Sequence, residues 1–193
     1  MESRSLRRAV LFVAAANLAY FGVEFAVALN IHAVSLFADS IDFLEDASVN
    51  VLIFFALAWR ARIRARVGLA LAAILLLPGL ATLWTAWEKI TAPAAPDAVA
   101  LSATGLGALA VNVMCAFALA AHRNHAGSLA KAAFLSARND ALANIGIIGA
   151  AAATVLVRSG WPDIVVGLAI AAMNADAARQ VWRAARKEAE ARP

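Results

Sequence analysis

Charge is scarce in this sequence. Only 16% of its 193 residues are Asp, Glu, Lys or Arg, while 63% are hydrophobic, and the mean hydropathy is +0.75. Soluble domains carry roughly a quarter charged residues and about half apolar ones, so this composition excludes an ordinary soluble domain and makes a bilayer the expected solvent. A single cysteine, Cys115, excludes an intramolecular disulfide. It lies inside an apolar run, where it reads as a small packing residue. The sequence also lacks a phosphate-binding loop, a nucleophile motif and any low-complexity tract. The net charge of +4 does not point to nucleic acid, because Lys and Arg stand in short clusters between apolar runs, as the flanks of membrane helices do.

What the chain has is long apolar runs. A hydrocarbon core about 30 Å thick takes about 20 residues of helix. Runs near 9–30, 32–58, 67–90, 98–121, 129–157 and 163–182 predict an all-α integral membrane protein with six transmembrane helices in a single domain, 1–193. Pro78 and Gly79 interrupt the third run only as a kink that a membrane helix tolerates. The first run follows Arg4, Arg7 and Arg8 in the manner of a secretion signal. It continues past about 15 apolar residues with no convincing cleavage site before Asn30, so a retained helix is expected. Basic residues then gather at Arg60, Arg62, Arg64 and Arg66, at Arg123 and Lys131, and at Arg179, Arg183, Arg186, Lys187 and Arg192, whereas the alternate loops hold only Lys89 and Arg158. That asymmetry predicts both termini in the cytoplasm and suits a bacterial inner membrane. Trp84, Trp87 and Trp161 fall near the expected outer ends of spans and Trp59 and Trp182 near inner ends, as interfacial anchors do.

Against this background Asp39, Asp42, Glu45 and Asp46 are out of place. Each ionisable residue deep in a membrane helix costs at least ~2.5 kcal/mol on insertion scales. At about 100° per residue Asp39, Asp42 and Asp46 share one helical face, with Glu45 further round. Neighbours three and four apart lie about 5–6 Å from one another at Cβ. Carboxylates so placed either take up protons or share a cation. Arg138 is a candidate neutralising partner, but one arginine cannot balance three carboxylates.

The fifth run offers a matching surface. Ser136, Asp140 and Asn144 follow one another at intervals of four along one stripe, all with oxygen donors, and Asn139 adds another. Asn17, Tyr20 and Glu24 share a face of the first run, where Glu24 could handle protons or line an outer vestibule. Asn112 and Asn174 read as packing contacts. His32 stands at the outer mouth of the second run. His122 and His125 form an HxxH that would be an incomplete metal site by itself, a candidate access point on the cytoplasmic side.

The stretch from Ser35 to Asp46 resembles the second transmembrane helix of the cation diffusion facilitator family, with Asp42 and Asp46 at its two ligand positions. Asp140-Ala141-Leu142-Ala143-Asn144-Ile145-Gly146 is similar to that family's fifth helix, in which a second ligand pair ends at Asp140. Trp161-Pro162-Asp163-Ile164 resembles the lead into its sixth helix with Pro and Asp exchanged. The resemblance implies efflux of a divalent cation in exchange for protons by alternating access, with no enzymatic activity and no cofactor. It also implies a homodimer. The resemblance implies zinc first, with cadmium, cobalt, iron and manganese also open. Ser136, however, stands where zinc-transporting members usually carry His and others often carry Asp, and a histidine-free carboxylate set is harder than a zinc site with imidazole. Asn139, Asn144 or water would complete the shell. The family's usual cytoplasmic C-terminal domain is expected to be absent here, so dimerisation would fall to the membrane helices, the Leu-rich third span first. Two other readings remain: a membrane CDP-alcohol phosphatidyltransferase, whose Asp cluster is similar but whose Gly and Ala-Arg positions are here Phe43 and Ala47-Ser48, and a scaffold whose acidic residues only pair with Arg138.

Overall fold

The structure is a computed structural model, and it describes residues 2–56, 80, 82–91, 94–120 and 127–190. Among the described residues there are helices and no strand: α1 (Glu2–Ile31), α2 (Val34–Ala56), α3 (82–91), α4 (Ala98–Ala120), α5 (Gly127–Val157) and α6 (Trp161–Glu190). The segments Ser5–Ile31, Ala98–Ala120 and Ala137–Val157 are long and apolar enough to cross a membrane on their own composition. α2 has the length, 23 residues or about 35 Å, but its carboxylates take it out of that class. In α6 the apolar stretch is Trp161–Met173, after which the helix turns polar. Most of the expected third span, together with Trp59, His122 and His125, lies outside the described residues, and of Ser136 and Trp182 only the backbone is described. Trp84, Trp87 and Trp161 are exposed.

α2 is the central helix, in contact with α1, α4, α5 and α6. It enters the bundle through a tight corner. The Ala33 N–H donates to the Ala28 carbonyl (3.0 Å) and His32 takes a left-handed conformation, φ 51°, which closes α1 with the motif that usually has glycine at the left-handed position. At the end of α5 Arg158 does the same, φ 53°, with its N–H on the Thr154 carbonyl (2.8 Å). Both corners lie at one end of the bundle, the corner end.

There the first turn of α2 is capped by a residue from the far end of the chain. The buried Asp163 carboxylate accepts from the Val34 N–H (2.9 Å) and from the Ser35 N–H (3.1 Å) and hydroxyl, and pairs with Lys89 Nζ (2.8 Å). Lys89, itself buried on α3, also donates to the His32 carbonyl (2.6 Å), so one ion pair ties α3 and α6 to the α1–α2 corner. α6 can come this close because position 167 is glycine. A Cβ there would sit 2.7 Å from the Val34 carbonyl carbon and 2.8 Å from the Ser35 nitrogen. These are backbone atoms of a capped helix and cannot swing aside. Gly167→Ala is therefore expected to lower stability by about 1–3 kcal/mol, read as an earlier thermal unfolding transition in detergent.

Apolar packing forms two larger blocks along the bundle, with a smaller one of Val34, Ala86 and Ile164 at the corner. At the corner end Leu36, Phe37, Ile41, Leu101, Ile147 and Ile170 pack together. Toward the other end Leu6, Val10, Val13, Ile53, Cys115 and Leu119 form a second block. Along α1 and α2 the residues from 17 to 24 and from 42 to 48 fall between the two blocks and include Asn17, Glu24, Asp42 and Asp46, while Asp39 is set among the residues of the corner-end block.

Candidate functional site

The polar layer is built around α2. Asp39 is fully buried, Asp46 nearly so at 7% exposure, and Asp42 and Glu45 are half-buried. From α5 comes Asp140, half-buried, whose carboxyl meets that of Asp46 across the α2–α5 interface. Asp42 is close enough to Asp140, Asp39 and Asp46 to interact with each of them. From α1 comes Glu24, fully buried and interacting with Asp39. The structure thus brings Asp42, Asp46 and Asp140 together, with Asp39 and Glu24 beside them toward the corner end.

Two asparagine bridges hold this layer. Asn144 on α5 donates to Asp39 Oδ2, and its own amide oxygen accepts from Asn112 on α4 (3.0 Å). Asn17 on α1 donates to Asp46 Oδ2 (3.5 Å), and its oxygen accepts from the Cys115 thiol on α4 (3.6 Å). Asp39 and Asp46 are therefore each tied through one amide to a group on α4. Asn112, which sequence reasoning treats as a packing contact, belongs to the first bridge. Cys115 is a weak donor in the second as well as an apolar neighbour of Val10 and Leu119. Asn50, which nothing in the sequence singled out, is buried and donates back to the Asp46 carbonyl (2.8 Å). Tyr20 leaves the layer, donating to the Thr104 carbonyl of α4 (2.6 Å).

Other candidates stand elsewhere. Arg138 is exposed, and its guanidinium donates to Asn139, also exposed (3.2 Å). Among the described residues it makes no ion pair with the α2 carboxylates, which removes the neutralising partner that a purely structural scaffold needs. The same exposure turns Asn139 away from the layer. His32 is exposed and lines a cavity of ≈ 370 Å³ at the corner end, with Phe37, Glu88, Lys89 and Ala94 among its walls.

Chemically, the layer offers carboxylate and amide oxygens in a low-dielectric interior, a donor set suited to hard cations. Among the described residues no three His, Cys, Asp or Glu side chains converge enough to hold a metal ion as they stand. Compared with known families, residues 10–188 match the model of the cation efflux transmembrane domain. No curated protein matches the chain.

Proposed function

The chain belongs to the cation efflux family and is a multi-pass membrane protein that transports cations, and on that premise we propose that it exchanges a cytoplasmic divalent metal ion for protons through Asp42, Asp46 and Asp140. The observation that carries this reading is the polar layer itself: carboxylates from α2 and α5, enclosed between two apolar blocks. Buried carboxyl groups in such a place are neutralised by protons or by a cation, the two species an exchanger handles in turn. With the metal bound the aspartates are ionised, and when it leaves, their mutual repulsion favours protons on the same oxygens. Metal and proton then compete for one site, which is the requirement for exchange. The apolar blocks on either side are the natural gates, opened alternately as α2 and α5 shift against α1 and α4.

Ser136, four residues before Asp140 on α5, is proposed as a further ligand. Both termini in the cytoplasm and six spans complete the proposed topology, with a homodimer formed through membrane helices. The absence of an imidazole from the central set favours no strict zinc preference, so zinc, cadmium, cobalt, iron and manganese are all candidates.

Purified protein in liposomes holding a trapped pH-sensitive dye tests this reading. Addition of each metal outside is expected to produce saturable uptake with alkalinisation of the lumen for at least one of them. Metal uptake without any change in lumenal pH would reject exchange, and no uptake of any of these metals would reject the divalent-metal assignment.

A further inference from the structure

We propose that Glu24 and Asp39 form a second cation station, apart from the one built on Asp42, Asp46 and Asp140, that takes a divalent metal ion between carboxylates of α1 and α2. The inference rests on the transport reading above. Both side chains are fully buried at 0% exposure. Among the described residues no donor group reaches either carboxyl oxygen of Glu24 or Oδ1 of Asp39, a costly condition for buried polar atoms unless a proton or a cation is held there. The two groups interact directly with each other. Two carboxyl groups this close in a low-dielectric interior are neutralised either by a shared proton or by a cation between them, and we infer the cation.

Among the described residues no cationic side chain near them supplies the positive charge. Lys89 is committed to Asp163 and to the His32 carbonyl. Arg138 is exposed and bonded to Asn139. A divalent cation would cancel both charges and give the unpartnered oxygens something to coordinate. With oxygen donors alone, the station favours a hard ion such as Mn2+ over softer ones.

The asparagine bridges argue for two stations rather than one large one. Asn144 and Asn112 fix Asp39, while Asn17 and Cys115 fix Asp46. Seven residues separate these aspartates, about 10 Å along the helix. Asp42 of the central set lies between them on the helix, so an ion can step between the two positions, one nearer the corner end, without crossing an apolar gap.

The test is a count of bound ions on the full chain in lipid nanodiscs, by equilibrium dialysis against Mn2+ and, separately, Zn2+. Two Mn2+ per chain are expected in the wild type. Glu24→Gln and Asp39→Asn should each retain one, the double variant Asp42→Asn/Asp46→Asn should retain one, and adding Glu24→Gln to that double variant should leave none. A single ion per chain, lost in the double variant and kept in Glu24→Gln, would overturn the second station while leaving the central site standing. That is also the outcome if Glu24 and Asp39 merely share a proton. No bound ion of either metal would overturn both. Should Glu24→Gln fail to elute as a folded species, Glu24→Asp is the alternative variant. It keeps the charge but shortens the reach, and it is expected to weaken the second ion alone by 10-fold or more, whereas unchanged affinity for both ions would overturn the proposal.

Discussion

Asp163→Ala is expected to destabilise the protein by about 3–5 kcal/mol, although the residue lies at the end of the bundle, away from the central carboxylates. Its carboxylate performs three tasks at once: it accepts from the first two N–H groups of α2, from the Ser35 hydroxyl, and from Lys89. Truncation leaves the Lys89 ammonium buried with only the His32 carbonyl, and leaves the first turn of α2 without its acceptor. The unpaired charge is the larger cost, because an ammonium taken out of water and deprived of its counter-ion retains its full desolvation penalty. Asp163→Asn can still accept from α2 but cannot balance Lys89, so an intermediate loss is expected. Combining Asp163→Asn with Lys89→Met removes the orphaned charge and should recover part of it. For a chain of this size the full effect corresponds to a fall of roughly 6–20 °C in the unfolding midpoint, read by tryptophan fluorescence in detergent. A midpoint for Asp163→Ala within about 2 °C of wild type would show that the cap and the ion pair do not hold the corner.

That junction also marks where the sequence stopped being informative. The partners of Asp163 lie 128 and 129 residues away, and no local pattern connects them. The acidic face of α2 was legible for the opposite reason: four carboxylates in one apolar run are expensive, and their spacing alone assigns three of them to one side. The helical class followed from composition, since apolar runs of this length can satisfy their backbone in a bilayer only as helices or a closed barrel. Asn112 was opaque, because a lone asparagine in a membrane helix looks the same whether it packs or bridges, and only the position of Asn144 decides. The left-handed corner at His32 carried no signal either, as the residue there is not the usual glycine. The orientation of Arg138 was legible in the spacing. It lies two residues from Asp140, about 200° round the helix, so a face that points Asp140 at α2 points Arg138 away from it.

Asp46→Asn is expected to reduce metal transport by at least about 100-fold while leaving the protein folded. Asp46 is the carboxylate that meets Asp140 across α2 and α5, so it is where the two halves of the proposed site touch. The amide has nearly the same shape, and its oxygen can still accept from Asn17, which preserves the bridge to α4. What it loses is the negative charge on a ligand oxygen, together with the ability to release and rebind a proton as the metal comes and goes. Asn17→Ala provides the contrast. It leaves every proposed ligand in place but frees the Asp46 carboxyl from its donor, and outer-shell losses of this kind cost about 10–100-fold in metal affinity or activity. The two variants should therefore separate in how they respond to metal concentration. Asn17→Ala is expected to approach the wild-type rate as metal is raised, because its site is only less well oriented, whereas Asp46→Asn stays slow at saturation. Initial rates of uptake into liposomes over a range of metal concentrations distinguish the two, and a wild-type maximal rate for Asp46→Asn would remove it from the transport site.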